Sequence, residues 1–264
     1  MYNFNYHRPQ SLADAVKLAA KDEAKILAGG QTLLASMKLR LASPEQLVDL
    51  GGIADLAGVK KDGNSLMIGA MTRHADVAKN ADVKAAIPAL ADLAGGIGDR
   101  QVRAMGTMGG SVANNDPAAC YPSAVLGLGA TVHTNQRKIA ADDYFQGMFA
   151  TALGADEVIT SVSFPIPAKA AYVKFKNPAS RYAIVGAFVA KGPQGVRVAI
   201  TGAGDNGVFR VAAMEKALAA SFKPEAVAGI SVPQDGMLSD IHASAEYRAH
   251  LVTVMVKRAV AACA

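Results

Sequence analysis

The spacing of apolar residues over the first 50 positions predicts alternating short helices and strands. Apolar residues at helical spacing indicate a helix, and short apolar runs that end in turn residues indicate strands. The predicted elements are a helix over 11–20 with Ser11 as its N-cap, a strand over 24–30 that ends in a glycine turn, a helix over 32–41 and a strand over 46–50.

The pattern then changes, and residues 51–167 combine a hairpin with helices and further strands. The predicted elements are a hairpin over 59–70 with its turn at 62–64, a helix that begins after the cap Thr72, one long helix over 86–105 entered at Pro88, a helix and then a strand over 121–134, and a strand over 157–167. Residues 106–120 show neither strand alternation nor a good helix pattern. We therefore expect an irregular, glycine-rich stretch there.

The pattern of apolar and polar residues changes after Pro165 and Pro167, which indicates a domain boundary there. Beyond them the pattern predicts an antiparallel sheet covered by helices. The predicted strands lie within 170–177, 183–191 and 195–211, and the predicted helices are 212–220, 223–230 and 245–263. The fold class is therefore α+β, with domains at 1–168 and 169–264.

Composition narrows the class of protein. The chain has 264 residues, of which 51% are hydrophobic and 19% charged, and its net charge is +5. The basic residues are scattered, and the densest clusters, Arg100–Arg103 and Val173–Lys176, lack the basic run with interleaved aromatics that binds nucleic acid. The two cysteines, Cys120 and Cys263, form no C-x-x-C pair. We therefore expect no nucleic-acid partner, no zinc or iron–sulfur site and no other metal ligand set on this chain.

Targeting signals are also not legible in the sequence. The N-terminal residues contain no apolar segment of the kind that signal peptides carry, and no apolar run approaches the ~18 residues of a membrane span. These features predict a cytoplasmic protein without a membrane span.

Two Gly-Gly stretches, at 28–34 and 106–111, carry the candidate chemistry. Glycine lets the backbone approach a ligand closely, and the free N–H groups of such turns bind phosphate oxygens. For either stretch alone, a tight turn without a ligand is the alternative interpretation. Two such turns with flanking hydroxyl and amide side chains favour a pyrophosphate bound from two sides.

The common nucleotide-binding motifs do not account for these turns. Gly202, Gly204 and Gly207 have the spacing G-x-G-x-x-G, but they lie between predicted antiparallel strands and open no helix. The pattern G-x-x-x-x-G-K-[ST] does not occur. We interpret residues 201–207 as a loop, which makes a resident NAD the weaker alternative.

Four ordered segments together resemble one family: AGGQTLLASMKLRLASPEQLVDL, IGAMTRH, IGDRQVRAMGTMGGSVANNDPAA and YVKFKNPASRYAIVGA. The family is the FAD-binding medium subunit of molybdenum hydroxylases, of the carbon monoxide dehydrogenase and xanthine dehydrogenase type. The resemblance covers about residues 1 to 258. It implies a two-lobed FAD-binding domain of the vanillyl-alcohol-oxidase (PCMH) type, with lobes at about 1–55 and 56–168, and a C-terminal α+β domain with a small antiparallel sheet.

The resemblance also implies which residues bind FAD. The first pyrophosphate loop would be Ala28, Gly29, Gly30, Gln31, Thr32 and Leu33, and the second Thr107, Met108, Gly109, Gly110 and Ser111. Asn114 and Asp116 would line the ribityl and flavin region, Ile159 the adenosine end, and Lys174 and Tyr182 the isoalloxazine.

Cys120 departs from the family pattern at a cofactor-binding position. Family members commonly have D-P-A-A-D, and this chain has D-P-A-A-C. The departure predicts weaker FAD binding, or compensation by Tyr121 or Ser123. A small, half-buried cysteine without a redox role is the structural alternative.

The resemblance implies an electron-transfer function without catalytic residues on this chain. A large molybdenum-cofactor subunit would oxidise the substrate, and a small iron–sulfur subunit would pass electrons to FAD. The flavin would reduce an external acceptor such as NAD⁺, a quinone, a cytochrome or oxygen, in a dimer of heterotrimers. Two alternatives remain: a stand-alone FAD oxidoreductase of the same fold, and an assembly subunit without flavin.

Several other polar residues have a structural and a functional interpretation. His74 is either a hydrogen-bonded structural histidine or a residue that borders the cofactor. Asp99, Arg100 and Arg103 either pair within a helix–loop junction or contact the iron–sulfur partner. The C-terminal helix is amphipathic, and we expect Arg248, Lys257 and Arg258 on its solvated face.

Overall fold

In the computed structural model, which describes residues 1–263, the first 50 residues form a small parallel sheet with two helices. Its elements are β1 (Asn5–His7), α1 (Leu12–Ala19), β2 (Ala24–Leu27), α2 (Leu33–Lys38) and β3 (Gln46–Asp49). The strand order is β1-β3-β2. The Ser11 Oγ accepts a hydrogen bond from the Asp14 N–H at 3.1 Å, which confirms the predicted cap of α1. Strand β1 was not predicted, because three mostly polar residues carry too little pattern.

The next part of the chain forms an antiparallel sheet with helices packed against it. Its elements are β4 (Val59–Asp62), β5 (Ser65–Gly69), α3 (His74–Lys79), α4 (Ala81–Ala86), α5 (Pro88–Gly95), α6 (Arg100–Met105), α7 (Met108–Asn114), α8 (Tyr121–Gly127), β6 (Thr131–Thr134), β7 (Lys138–Ala140), α9 (Ala141–Tyr144), β8 (Phe145–Gly147), β9 (Ala150–Thr151) and β10 (Ile159–Pro165). The strand order is β4-β5-β10-β6-β7, and β8 and β9 form a separate hairpin.

Three predictions in this part were wrong. Thr72 does not cap α3, because its hydroxyl is hydrogen-bonded to the backbone of Gly58. The long helix predicted over 86–105 is interrupted after α5, where Gly98 has a φ of +50°, and Asp99 then caps α6. The glycine-rich stretch contains a helix, α7, whose N-cap is Thr107.

The C-terminal part is a four-stranded antiparallel sheet covered by a long helix. Its elements are β11 (Lys169–Lys176), β12 (Ala183–Gly192), β13 (Gly195–Thr201), β14 (Phe209–Arg210), α10 (Ala212–Ala220) and α11 (Ala245–Ala262), with strand order β11-β12-β13-β14. The helix predicted over 223–230 is only a 3₁₀ turn, Pro224–Val227. The apolar face of α11 packs on β11 and β12, as the amphipathic pattern predicts. The mixed α+β architecture is confirmed.

Arg248 occupies the core and not the solvated face that the helical pattern predicts. The residue is 3% exposed. The Nη1 group donates to the carbonyl oxygens of Ile184 and Gly202, both at 2.7 Å, and Nη2 lies 2.7 Å from the Asp240 carboxylate. The guanidinium therefore provides hydrogen-bond donors for one carbonyl oxygen of β12 and one of the loop after β13. Lys257 and Arg258 are exposed, as predicted.

The C-terminal sheet also fixes the segment that follows α7. The Gly202 N–H donates to the Pro117 carbonyl at 2.7 Å, and the Thr201 hydroxyl lies 2.6 Å from the Ala119 carbonyl oxygen. Arg197, which is buried, donates to the Leu126 carbonyl at 2.8 Å. Through residues 1–263, no helix is long and apolar enough to cross a membrane.

Candidate functional site

One large groove runs between the first two sheets and the β11–β12 hairpin, with a cavity volume of about 760 Å³. This volume lies within the range of small-molecule and cofactor pockets. Of the residues that the resemblance assigns to FAD, Met108 is fully buried and does not reach the groove, and all the others line it: Ala28, Gly29, Gly30, Gln31, Thr32, Leu33, Thr107, Gly109, Gly110, Ser111, Asn114, Asp116, Cys120, Ile159, Lys174 and Tyr182. The fold thus brings these residues together, and their contacts with FAD stay predictions.

The first glycine turn presents free backbone donors to this groove. Gly30 has a φ of +70°, a conformation that favours glycine, and its carbonyl accepts from the Leu34 N–H at 3.2 Å. The N–H groups from Gly30 to Leu33 find no acceptor in the described chain. Runs of free backbone N–H groups of this kind bind oxyanions in many proteins.

The N–H groups of the second glycine pair are not free, unlike those of the first glycine turn. The Gly109 N–H donates to the Ala70 carbonyl at 2.8 Å, and the Gly110 N–H donates to the Thr107 hydroxyl at 3.2 Å. These donors are therefore used within the protein. A Cβ on Gly109 would lie 2.5 Å from the Cβ of Ala70. The glycine here permits close packing of α7 on the end of β5.

The two glycine stretches meet across the groove. A Cβ on Gly29 would overlap the carbonyl oxygen of Met105 and lie 2.6 Å from the Cα of Gly106. A Cβ on Gly110 would lie 3.3 Å from the Cβ of Ala28. The absence of side chains at these positions therefore lets the two stretches approach each other to form a continuous wall.

His74 lies at the start of α3 and lines the groove beside this wall. The residue is 5% exposed, and its Nδ1 has no hydrogen-bond partner within residues 1–263. Burial, followed by the positive charge of Arg103, lowers the pKa of His74 to about 4. The imidazole is therefore neutral at pH 7 and leaves one nitrogen free, so His74 is not the fully hydrogen-bonded structural residue considered as an alternative.

The buried His74 should make stability depend on pH. Because its pKa falls from 6.5 to about 4 on folding, the unfolded chain binds the proton first as the pH drops. The free energy of unfolding should therefore decrease between pH 6.5 and pH 4, by up to about 3 kcal/mol from this group. In urea unfolding, the free energy of unfolding of His74→Gln should decrease less between pH 6.5 and pH 4 than that of the parent. His250 is exposed, and His250→Gln should show the same decrease as the parent. Equal pH profiles for His74→Gln and the parent would contradict the assignment.

Asp99 and Arg103 pair with nearby backbone groups. The Asp99 carboxylate accepts from the Val102 N–H at 2.8 Å, and Arg103 donates to the carbonyls of Ile97 and Gly98 at 2.9 and 3.1 Å. The helix–loop interpretation of these two residues is therefore confirmed. Asp99 and Gly98 also line the groove.

Lys174, Cys120 and Tyr182 lie together at one end of the groove. The Lys174 ammonium donates to the carbonyl oxygens of Gly96 and Arg181, both at 2.9 Å, and lies 3.4 Å from the Cys120 sulfur. Tyr182 is half-exposed, and its partial burial and the Asp116 carboxylate raise the pKa of its hydroxyl. The Asp116 Oδ1 accepts from the Ala118 N–H at 2.8 Å, which fixes the turn before Cys120.

Some lining residues had no signal in the sequence. Arg181 has a φ of +64° and places its carbonyl on Lys174. The segment 151–158 reaches the groove because Glu157 binds Arg137, with Nε to Oε1 at 2.9 Å, and accepts from the Gly154 N–H. Arg137 lowers the pKa of Glu157 to about 2. The segment 151–158 belongs to none of the quoted motifs, and Arg181 lies within the fourth motif but had no role assigned to it, because distant contacts bring both to the site.

The chain is similar in sequence to known proteins over nearly its whole length. A family model described as FAD binding domain in molybdopterin dehydrogenase matches residues 2–167. The carbon monoxide dehydrogenase medium chain of Afipia carboxidovorans is 35% identical over 275 residues, which cover 98% of this chain and 96% of that protein. The nicotine 6-hydroxylase medium subunit of Paenarthrobacter nicotinovorans is 34% identical, with coverage of 97% and 95%.

A solved structure shares the architecture over its whole length. It is carbon monoxide dehydrogenase from Hydrogenophaga pseudoflava, in a form that lacks the Mo-pyranopterin moiety of the molybdenum cofactor. Its matching chain superposes with a TM-score of 0.88 at 33% identity, with coverage of 100% of this chain and 99% of that chain.

Proposed function

Because the chain belongs to the family of FAD-binding medium subunits of molybdenum hydroxylases, we propose that it relays electrons through FAD held in the groove. The chain is an oxidoreductase component, and FAD is its cofactor. The observation that carries the proposal is the groove itself, in which the residues assigned to FAD by motif, apart from the buried Met108, form one surface. We also propose that the two sheets flanking the groove are the lobes of a PCMH-type domain.

The residues present fit FAD. The free N–H groups of Gly30 to Leu33 would hold the pyrophosphate, and the close contact of Gly29 with Gly106 brings the two glycine stretches together in the wall beside it. The buried, unpaired Nδ1 of His74 adds a further polar atom to the same wall. At the other end, the Lys174 ammonium would stabilise negative charge on the flavin. Bound FAD supplies the exchange between single electrons and electron pairs.

The electron path requires partner chains. The names of the relatives identify them as medium chains or subunits. We propose that a small iron–sulfur subunit delivers electrons to this chain, that a large molybdenum-cofactor subunit oxidises the substrate, and that the complex is a dimer of heterotrimers. The two cysteines of this chain could not hold a cluster of the Cys₄ type. The flavin would then reduce an external acceptor.

Cofactor content tests the proposal directly. We expect the purified chain to bind one FAD, because the groove is preformed and the donors of its first glycine turn are free. The measurement is the visible spectrum, followed by release of the cofactor, its identification by mass, and titration of any empty fraction with FAD. A chain that contains no flavin and takes up none during titration would contradict the proposal.

The same preparation distinguishes the alternatives. A stand-alone oxidoreductase would turn over a small substrate without partner chains. A flavin-free assembly subunit would bind the partners while its spectrum shows no flavin. We expect neither result, and we expect reduction of the bound FAD only when the iron–sulfur partner is added.

A further inference from the structure

The Lys174 ammonium is held by a complete set of acceptors. It has three protons, and three acceptor atoms surround it: the carbonyl oxygens of Gly96 and Arg181 at 2.9 Å and the Cys120 sulfur at 3.4 Å. These acceptors come from three separate segments of the chain. The position of the ammonium at the end of the groove is therefore fixed, because moving it would break all three contacts together.

The contacts to Lys174 include no carboxylate. No aspartate or glutamate of the described residues approaches its Nζ within 4.0 Å, although salt bridges of that length occur elsewhere in the fold. Two carbonyls and a thiol hold the cation without cancelling its charge. This arrangement differs from that of Arg248, whose guanidinium is paired with Asp240.

The sulfur of Cys120 is itself firmly placed. The residue is 5% exposed, and its carbonyl accepts from the Ser123 hydroxyl at 2.7 Å. The preceding residues are tied to the C-terminal sheet through Thr201 and Gly202. On the far side lies Tyr172, whose buried hydroxyl has no hydrogen-bond partner in the described structure. Burial first, and the neighbouring Cys120 second, raise the pKa of Tyr172 well above its usual value, so this neighbour supplies no negative charge.

We propose that Cys120 is a positioning residue that fixes the Lys174 ammonium at the flavin end of the groove while leaving its charge uncompensated, so that bound FAD is easier to reduce. The inference rests on the proposed function, since it requires FAD in the groove. It assigns a role to the departure from the D-P-A-A-D pattern. A carboxylate at position 120 would form an ion pair with Lys174 and cancel the positive potential that a reduced flavin would experience.

The test compares four variants of the full-length chain: Cys120→Asp, Cys120→Asn, Lys174→Met and the double variant Cys120→Asp with Lys174→Met. Asparagine has the shape of aspartate without its charge and is the matched control. The readout is the midpoint potential of bound FAD in anaerobic spectroelectrochemistry, which reports the ratio of the affinities for reduced and oxidised FAD. Urea unfolding of each variant checks that the fold is intact.

We expect Cys120→Asp to reduce the preference for reduced FAD about tenfold, which is about 30 mV for a two-electron couple. Cys120→Asn should leave the potential unchanged, and Lys174→Met should lower it in the same direction. The double variant should match Lys174→Met, because a buried carboxylate without a partner takes up a proton and becomes neutral.

Three results would overturn the inference: the same shift in Cys120→Asn and Cys120→Asp, no shift in Cys120→Asp, or an equal effect of Cys120→Asp with and without Lys174. If Cys120→Asp does not bind FAD, the potential of Lys174→Met tests the inference instead. An unchanged midpoint potential of FAD in Lys174→Met would overturn it. A parent chain that binds no FAD overturns the proposed function as well. If the parent binds FAD and Lys174→Met has the same midpoint potential as the parent, only the inference is overturned.

Discussion

Replacement of Gly29 by alanine should weaken FAD binding roughly tenfold to hundredfold, the effect of an overpacking cost of about 1–3 kcal/mol. The added Cβ would overlap the carbonyl oxygen of Met105 and crowd the Cα of Gly106. All of these atoms belong to the backbone, so no side-chain rotation relieves the overlap. The two glycine stretches must therefore separate, and the N–H groups after Gly29 would move away from the pyrophosphate.

Titration of the empty chain with FAD, followed by flavin fluorescence, measures the change. The control is Gly229→Ala, because a Cβ at that exposed position meets no atom within 4 Å. We expect Gly229→Ala to bind FAD like the parent. An unchanged dissociation constant in Gly29→Ala would show that the approach of the two glycine stretches does not matter for the cofactor.

Replacement of Arg248 by methionine should lower the free energy of unfolding by about 3 kcal/mol, because it leaves two buried carbonyls without donors. Methionine keeps most of the side-chain volume but provides no N–H group for Ile184 and Gly202. The released Asp240 is partly exposed and returns to water. The loss therefore comes mainly from the backbone of β12 and of the loop after β13.

Urea unfolding at pH 7 measures this effect. Arg258→Met is the matched control, since Arg258 lies on the same helix and is exposed. Its stability should stay within about 0.5 kcal/mol of the parent, as for most surface substitutions. Equal stability of the two variants would show that the two carbonyl oxygens do not need the hydrogen bonds from the buried guanidinium.

Local signals in the sequence predicted most elements correctly and failed where distant residues compete. Ser11 caps α1 as predicted, since its hydroxyl has no other partner than the first turn. Thr72 has the same capping chemistry, but its hydroxyl is taken by Gly58, fourteen residues away. No pattern around Thr72 contains that contact. The cap of α3 was therefore assigned wrongly.

The glycine-rich stretch 106–120 is a second place where contacts with distant residues outweigh the local pattern. Its composition argues against a helix, because glycine is about 1 kcal/mol less favourable than alanine in a helix interior. Tertiary packing outweighs that cost: the Gly109 N–H donates to Ala70, and a larger residue would not fit there. Arg248 is a parallel case, since helical periodicity cannot show that the loop after β13 brings two carbonyls and a carboxylate to that turn of α11.

Contiguous motifs and the spacing of apolar residues were enough to predict the α+β class and the family resemblance, and the resemblance in turn indicated many of the residues that line the groove. The contacts that those residues make became known from the folded chain alone. It showed that the first glycine turn keeps free donors whereas the second uses its donors internally. It also placed Cys120 against Lys174 without a carboxylate. The physical reason is that hydrogen-bond partners and uncompensated charges depend on contacts between segments far apart in the chain, which no local pattern records.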